Sequence, residues 1–462
     1  MTALAPFSPS TPAADPTTRT AARLPYVLAG IVFACYAGFS LTLHAAFQTS
    51  GYDLGIFEQA VRSYAEGRWP AADLKGPGYA LLGDHFHPVL ALLAPFYLLL
   101  PRPETLLVAQ ALLLAVSAIP VTRLAVRVLG ARTGAVVGIG YAASWGLLSA
   151  VSFDFHEVCF AVPLLAFALE SLVLRRWMAA VLWALPLAGV KEDLPLTIAA
   201  IGVYLWRQGQ RRTGAIVVAA GTLTSGLLIG VVVPALNNTG HYDHWSHLHD
   251  DSMSTMAGLA IRATTVLCLL APTAFVALRS PLLLLAVPTL AWRFVIGNPA
   301  YWGTDYHYSA VLMPIVFVAF IDGLALLGAR DRGHPLRGWA APACLTATAL
   351  LLVVQLAHPP RQPLWTDAEV ASARQVLAGI PDGAGVAASN RLAPQLTGRC
   401  RVQLFPPLSA DEPLPEWVAA ARPFSWPAPA EVQEARLAEL RDEGYDVVTD
   451  LGHITLLHRR GP

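Results

Sequence analysis

Apolar runs of about twenty residues recur between residues 26 and 356, separated by short polar turns. An α-helix of that length, rising about 1.5 Å per residue, crosses a hydrocarbon core of about 30 Å. The pattern therefore predicts a mainly α, polytopic helical membrane protein. Residues 1–24, rich in Pro, Thr, Ser and Ala, predict a disordered cytoplasmic tail. Residues 25–358 form the predicted transmembrane domain, which has an outer loop at 48–103.

Arginines set the predicted orientation, because Arg and Lys gather in cytoplasmic loops. Arg19 and Arg23 place the amino terminus inside. The apolar stretch 89–100 is about twelve residues long, which is short for a crossing, and predicts a helix that lies in or re-enters the outer leaflet. About eleven spans then place nearly every arginine-rich turn inside a bacterial plasma membrane. They are 26–47, 104–122, 133–151, 158–174, 177–190, 194–206, 213–235, 258–278, 281–296, 308–328 and 338–357.

Residues 359–462 have the composition of a soluble domain and are predicted to lie outside the cell. Helices are predicted at 367–378 and 431–443, the second closed by Gly444. Short strands are predicted at 385–389, 401–405, 446–449 and 453–457. The result is a small extracytoplasmic α/β domain without a nucleophile motif or phosphate loop, which favours recognition or scaffolding over chemistry.

Acids and histidines gather on one side of the predicted membrane. A scattered distribution would place them on both faces, and ionisable groups near lipid are expensive, so the asymmetry indicates an extracytoplasmic pocket. The residues concerned are Asp53, Glu58, Asp84, His85, His87, Asp154, His156, Glu157, Lys191, Glu192, Asp193, Asp305 and His307.

Asp53 follows Tyr52 and precedes an amphipathic run. An Asp in this place can cap a helix through backbone N–H groups. Alternatively, its carboxylate projects into a cleft as a general base or a metal ligand, and the two roles can coexist. His85 and His87, two residues apart, lie on one side of an extended segment and can line a pocket or chelate a metal.

Three further clusters leave alternatives open. The cluster of Asp154, His156 and Glu157 has two explanations. Its acids can interact favourably with the dipole of the next helix, or the cluster can bind Mg²⁺ or Mn²⁺. The 191–193 run, Lys-Glu-Asp, is either a self-neutralising interfacial patch or a phosphate and metal site. Asp305 and His307 adjoin tyrosines that suit the membrane interface. The histidine-rich loop at 237–256 is better explained as solvated.

Overall composition excludes some classes of function. The chain is 55% hydrophobic and 13% charged, with a net charge of zero and no basic block, so nothing indicates a nucleic-acid partner. The five cysteines show no metal or disulfide spacing, and they are expected to be small apolar residues.

The segments 51–59, 83–88, 155–157 and 191–193 together resemble a family of bacterial multi-pass membrane proteins known as domain of unknown function 2079. That family supplies no activity. The layout is also distantly similar to the GT-C glycosyltransferases, which include oligosaccharyltransferases, protein O-mannosyltransferases and aminoarabinose transferases. Those enzymes have an acid in the first outer loop, a membrane-lying helix, an acidic pair after span three and a soluble outer domain. Asp53 matches the first acid, whereas Asp154 and Glu157 match the pair only loosely, because His156 intervenes.

The second resemblance implies transfer of a sugar from a polyprenyl-phosphate carrier to an envelope glycan, lipid or protein. Asp53 would deprotonate or orient the acceptor hydroxyl, and Lys191, Arg293 or a cation would hold the phosphate. Tyr52, Glu58 and the outer-side clusters would line the substrate site. Two other classes remain open, which are a transporter or lipid flippase and a non-catalytic envelope assembly protein.

Overall fold

The computed structural model describes residues 16–243, 255–330, 336–357, 364–409 and 412–461. The protein is mainly helical and carries one small sheet near its carboxyl end, as predicted. Its α-helices are α1 (Pro16–Ala45), α2 (Ile56–Ala65), α3 (Ala94–Leu99), α4 (Glu104–Leu129), α5 (Ala131–Ala142), α6 (Trp145–Ser152), α7 (Val158–Val173), α8 (Trp177–Ala184), α9 (Pro195–Arg207), α10 (Arg211–Leu227), α11 (Val233–Leu236), α12 (Thr255–Leu270), α13 (Val287–Val295), α14 (Leu312–Arg330), α15 (Leu336–Ala357), α16 (Asp367–Ala378) and α17 (Ala430–Asp442).

Apolar helices fall where the sequence predicts spans. Five described stretches are long and apolar enough to cross a membrane, namely Ala22–Ala45, Glu104–Leu129, Ala131–Ser152, Arg211–Leu236 and Met256–Thr273. Shorter apolar helices occupy Val158–Val173, Trp177–Gly189, Pro281–Val295, Leu312–Gly328 and Ala341–Val353. The chain is thus a multi-pass membrane protein, and the number and direction of its crossings stay predictions. Helix α1 begins at Pro16, inside the segment predicted to be a tail, and residues 1–15 lie outside the described part.

The segment between α1 and α4 contains the short apolar helix that was predicted to lie in the membrane surface. A 3-10 turn at Pro88–Leu93 continues into α3, which ends at Leu99. Leu92 and Phe96 are each more than 60% exposed and Leu99 is 85% exposed, while Leu90 and Tyr97 are buried. One side of this helix therefore packs on the protein, and the other presents apolar side chains that suit contact with lipid.

Helices α4 and α7 are joined by an ion pair within the helical bundle. Arg123 donates from Nε to Glu170 Oε1 at 2.6 Å and from Nη2 to Glu170 Oε2 at 2.5 Å. Glu170 is largely buried. This bidentate contact compensates the free-energy cost of burying the Glu170 carboxylate among apolar helices.

Five strands form the sheet of the C-terminal unit: β1 (Gly385–Ala388), β2 (Arg401–Leu404), β3 (Trp417–Ala421), β4 (Tyr445–Asp450) and β5 (Ile454–Arg459). Their order is β2-β1-β3-β5-β4. Strand β1 runs parallel to β2 and β3, while β5 runs antiparallel to β3 and β4. A capping box of Thr366 and Glu369 opens α16, because the Thr366 hydroxyl accepts from the Glu369 N–H and the carboxylate of Glu369 accepts in return.

The sequence did not predict the central strand β3. Its residues, Trp-Val-Ala-Ala-Ala, lack the alternation of a half-buried strand, and alanine is poor in strand propensity. Val418 and the three alanines are all buried, because β3 lies between β1 and β5 and is covered on both faces. Small side chains suit that position, but they leave no periodic signal.

One apolar core connects the helical bundle to the near face of the sheet. Leu54 and Leu74 of the α1–α4 segment belong to the same buried cluster as Leu392, Ala393 and Leu396, which follow β1. Hydrogen bonds reinforce this contact, since Gln59 Nε2 donates to Val402 O at 2.8 Å. The C-terminal unit is therefore docked on the α1–α4 segment, where it can shape a site.

Candidate functional site

A tight turn, Gly51–Gly55, carries Asp53 between α1 and α2, and the backbone angles of Tyr52 and Asp53 are not helical. The turn is held by the C-terminal unit at Asn390. The Gly51 N–H donates to Asn390 O at 2.6 Å, and the Tyr52 N–H donates to Asn390 Oδ1 at 2.8 Å. A Cβ at Gly51 would lie 2.6 Å from Ala393 Cβ, so only glycine permits this close approach. Asp53 is thus fixed by two distant parts of the chain.

Asp53 faces His156, which precedes α7. Asp53 Oδ1 lies 3.9 Å from His156 Nε2, and a quarter of the Asp53 side chain is exposed. The His156 ring stacks on His307 with centroids 3.3 Å apart, and the Phe57 ring meets it edge-on at 5.0 Å. Burial lowers the pKa of both imidazoles, and the two rings together form a wall behind Asp53.

A buried row of charges continues from His156. His156 Nδ1 is in close contact with Glu157 Oε2, and Glu157 Oε1 lies 3.3 Å from Lys191 Nζ. Burial disfavours the charged forms of Glu157 and Lys191, but the attraction of each residue to its partners is stronger than this effect. The pKa of Glu157 is therefore held well below its usual range by His156 and Lys191, and the pKa of Lys191 is raised, chiefly by Glu157. The ammonium is charged in the physiological range.

Glu192 organises a second cluster beside this row. His85 Nδ1 lies 2.7 Å from Glu192 Oε1, Tyr242 donates its hydroxyl to the same oxygen at 2.8 Å, and the Phe86 N–H donates to Oε2 at 3.1 Å. Glu192 is fully buried. Burial and Lys191 each oppose protonation of His85, yet its pKa is raised because Glu192 favours the imidazolium.

These clusters line a small cavity that we call the buried pocket, with a volume of about 40 Å³. Its ionisable and polar lining includes His85, Lys191, Asp193, Tyr242, Arg293 and His307, together with Tyr301 and Tyr308. Both ring nitrogens of His307 and Asp193 Oδ1 are buried without a hydrogen-bond partner among the described residues. Buried polar groups are normally satisfied, so the pocket is suited to a polar ligand.

Arg293, on α13, supplies fixed positive charge to the buried pocket. It donates to the Tyr301 and Gly303 carbonyls at 2.8 and 2.9 Å, and to Ser309 Oγ at 3.1 Å. All these partners are neutral oxygens, so no carboxylate among them cancels the guanidinium. Arg293 therefore both holds the 301–309 loop and adds an anion-attracting field.

A wider cavity, which we call the open cleft, includes Asp53 in its lining and has a volume of about 470 Å³. Its lining comes from the turn after α1, from the loops at 153 and 306, and from the C-terminal unit, and includes Gln48, Ser50, Tyr52, Asp53, Phe153, Tyr306, Asn390, Arg391, Ser425 and Trp426. Asp53 lines this cleft, while His307 lines the buried pocket. The two cavities are linked through His156, which lies 3.9 Å from Asp53 and stacks on His307.

The remaining residues predicted from sequence have other surroundings. Asp84 accepts from Lys75 Nζ at 2.6 Å. His87 is buried against Phe57, and burial lowers its pKa to about 4. Asp305 is exposed and lines neither cavity. Of the histidine-rich loop, residues 244–254 lie outside the described part of the chain.

Glu58 is fully buried and lines neither cavity. It accepts from Tyr97 OH at 2.8 Å and from the Thr397 hydroxyl. It therefore belongs to the contact between α2, α3 and the C-terminal unit. Burial raises the pKa of this carboxyl to about 7.

The predicted metal ligands are engaged in other ways. Asp154 Oδ2 accepts from Ser50 Oγ at 2.5 Å and from the Ser50 N–H at 3.1 Å. His156 and Glu157 pair with each other, and Lys191 already supplies a positive charge to Glu157. Within residues 16–243, 255–330, 336–357, 364–409 and 412–461, no three His, Cys, Asp or Glu side chains are grouped so as to hold a metal ion. The side chains as placed do not fit Mg²⁺ or Mn²⁺, and metal binding stays a prediction.

Comparison with known proteins places the chain among membrane proteins of a single family. The sequence profile of the predicted membrane protein family DUF2079 matches residues 43–454. The chain belongs to this family. No curated protein matches it in sequence.

Solved structures extend the comparison to the fold. ArnT from Cupriavidus metallidurans bound to undecaprenyl phosphate is 14% identical, with a TM-score of 0.55, and the match covers 94% of this chain and 99% of ArnT. The apo state of the same protein is 13% identical, with a TM-score of 0.55, and the match covers 93% and 98%. At this identity the likeness concerns the fold, which is of the GT-C type predicted from the sequence.

The sequence did not predict that several residues would line the two cavities. Asn390, Arg391 and Trp426 reach the open cleft only because the C-terminal unit docks on the α1–α4 segment. Asn390 stands in an ordinary Ser-Asn-Arg sequence that carries no motif. Tyr242 lies at the edge of the histidine-rich loop that was explained as solvated, and a polar loop gave no signal that one tyrosine would be buried.

Proposed function

We propose that this protein is a glycosyltransferase that moves a sugar from a polyprenyl-phosphate carrier to an acceptor hydroxyl at the outer face of the membrane. One observation carries the proposal. Asp53 lines the open cleft and lies 3.9 Å from His156, whose ring stacks on His307 in the wall of the buried pocket that Lys191 and Arg293 also line. A carboxylate between an accessible cleft and an anion-attracting pocket suits a transfer from one to the other.

The chemistry assigns one role to each cavity. The acceptor lies in the open cleft, and Asp53 takes the proton from its hydroxyl. The acceptor oxygen forms a bond to the anomeric carbon, while the bond from that carbon to the phosphate oxygen breaks and leaves its electron pair on the phosphate. General-base help of this kind contributes about 10² to 10⁴ in rate.

The buried pocket would hold the donor's phosphate. Lys191 and Arg293 supply positive charge, and the Glu192-supported His85 adds a further cation when protonated. These groups are already fixed by Glu157, Glu192 and the 301–309 carbonyls, so they need little rearrangement as negative charge develops on the leaving group. The isoprenoid tail would lie along the apolar helices. The fold shared with ArnT, whose structure contains undecaprenyl phosphate, supports a lipid-carrier donor.

The test compares wild type with Asp53→Asn, both purified from native membranes. Mass spectrometry identifies the lipids that co-purify, and turnover is then followed with the identified donor. Asp53→Asn keeps the size and hydrogen-bonding capacity of the side chain but removes its basicity. We expect turnover to fall by about 10² to 10⁴ and the sugar-bearing lipid to accumulate on the variant.

Asp442→Asn is the matched control, because Asp442 is an exposed acid at the end of α17, in neither cavity. It should behave as wild type. Retained turnover in Asp53→Asn would remove Asp53 from the mechanism. Bulk phospholipid alone on both proteins would contradict a polyprenyl-phosphate donor and favour transport instead.

A further inference from the structure

Four separate segments of the chain contribute aromatic rings to the open cleft. Tyr52 comes from the turn after α1, Phe153 from the end of α6, Tyr306 from the loop before α14, and Trp426 from the loop between β3 and α17. The rings of Tyr52 and Trp426 lie 4.4 Å apart, and those of Phe153 and Tyr306 lie 4.8 Å apart. Trp426 joins this lining because the C-terminal unit is docked.

Two of these rings are substantially exposed within the cleft. Trp426 is 46% and Tyr306 is 39% exposed. Aromatic residues also collect at membrane interfaces, where they face lipid headgroups. That explanation does not account for rings that line a concave cleft together with an acid, and in particular for Trp426, which belongs to the sheet-bearing unit. A ligand that covers their faces explains the arrangement better.

Polar groups of the cleft stand beside the rings. Asn390 accepts from the Tyr52 N–H with Oδ1 and also lines the cleft, where its NH₂ group can act as a donor. Ser425 and Arg391 line the same cleft. The cavity volume of about 470 Å³ lies within the usual range for a small-molecule site. A cavity with aromatic faces and separate hydrogen-bonding groups calls for a ligand that is apolar on one face and polar at its rim.

We propose that the open cleft is an acceptor site for a saccharide, and that Trp426 supplies its principal stacking surface. A pyranose ring presents C–H groups on one face and hydroxyls around its edge, which matches exposed aromatic rings flanked by amide, hydroxyl and guanidinium groups. A lipid chain would offer no hydrogen-bonding groups to the amide and hydroxyl of the cleft. This assignment rests on the proposed transfer, because it places an acceptor hydroxyl next to Asp53, but its binding step can be measured separately.

The experiment applies purified, detergent-solubilised full-length protein to an array of immobilised bacterial surface glycans. Four proteins are compared, namely wild type, Trp426→Ala, Trp69→Ala and Asp53→Asn. Trp69 is the matched control, because it is 59% exposed in the α1–α4 segment and does not line the cleft. We expect wild type and Trp69→Ala to bind the same glycans and Trp426→Ala to lose at least tenfold in affinity, about the value of one ring–ligand contact.

Asp53→Asn separates this inference from the proposed function. The variant should retain glycan binding while losing transfer, because the amide keeps the shape of the cleft. Glycan binding by a wild type that transfers no sugar would support the saccharide site and contradict the transferase. Failure of wild type to bind any glycan, or equal binding by Trp426→Ala, would overturn the saccharide site even if transfer to a peptide or lipid were found. The thermal melting temperature of Trp426→Ala must match that of Trp69→Ala.

Discussion

The backbone N–H of Tyr52 donates to Asn390 Oδ1 at 2.8 Å, and this bond joins residues 338 positions apart. The neighbouring Gly51 N–H donates to the Asn390 carbonyl at 2.6 Å. One residue of the C-terminal unit therefore satisfies two consecutive backbone donors of the turn that carries Asp53. Because the acid's position depends on this turn, Asn390 acts as a positioning residue.

Replacing Asn390 by alanine should slow transfer without removing any group that touches the substrate's reacting atoms. The Tyr52 N–H loses its acceptor, and the turn that holds Asp53 gains freedom. A displacement of about 1 Å at a reacting group can cost about a hundredfold in rate, so we expect kcat to fall by about tenfold to a hundredfold. Turnover of the reconstituted protein at saturating donor measures this change.

Asn390→Asp is the control for that prediction. The hydrogen bond uses only the side-chain oxygen as an acceptor, and aspartate keeps such an oxygen in the same place. Asn390→Asp should therefore recover most of the kcat that Asn390→Ala loses, whereas Asn390→Leu, which fills similar space without an acceptor, should not. A fall in acceptor affinity with unchanged kcat in Asn390→Ala would contradict positioning of Asp53.

Sequence patterns predicted the membrane fold well, because hydropathy reports directly on burial in lipid. Each predicted span from 26–47 to 338–357 overlaps a helix, and the twelve-residue stretch before Pro101 forms the short helix α3. The small sheet was predicted in four of its five strands. Strand β3 was missed because its alanines are buried on both faces, where periodicity carries no information.

The candidate site was less accessible to sequence reasoning. His85, Lys191 and His307 could be singled out because charged groups in an apolar chain are conspicuous, and they do line one pocket. Glu58 was equally conspicuous, yet it is bound at a packing interface. Asn390 and Trp426 gave no signal, because their place depends on how the C-terminal unit docks. Long-range docking is set by the sum of many contacts, which no local pattern contains.

Lys191 and Glu157 should depend on each other for stability. Both are nearly inaccessible, and their ionic atoms lie 3.3 Å apart. Lys191→Met leaves Glu157 buried with only His156 as a partner, and removing one member of a buried pair costs about 3 to 5 kcal/mol. We expect a clear fall in the thermal melting temperature of the purified variant.

The double variant Lys191→Met with Glu157→Gln tests the coupling. Removing both charges eliminates the uncompensated carboxylate, so much of the lost stability should return. Transfer should stay low, because the phosphate pocket still lacks its ammonium. The contrary outcome is additivity, in which the loss of stability in the double variant equals the sum of the losses in the two single variants. The two residues would then act independently, and the ion pair would contribute nothing to stability.

Glu58 makes the docking of the C-terminal unit sensitive to pH. The carboxyl is fully buried between Tyr97 of α3 and Thr397 of the C-terminal unit, and burial outweighs these two hydrogen bonds and raises its pKa to about 7. An unfolded glutamate titrates near 4.5, so the folded protein favours the protonated form. This stabilisation is complete below about pH 4.5 and is lost as the pH rises through about 7.

The shift corresponds to about 3 kcal/mol between the two protonation states. Wild type should therefore lose melting temperature between about pH 5 and about pH 8 relative to Glu58→Gln, which stays neutral throughout and keeps the same shape. Glu431→Gln, at an exposed position on α17, should follow wild type at every pH. A wild type that gains stability relative to Glu58→Gln over this range would mean that the folded protein prefers the carboxylate. The hydrogen bonds from Tyr97 and Thr397 would then outweigh burial, and Glu58 would act as an ionised anchor instead.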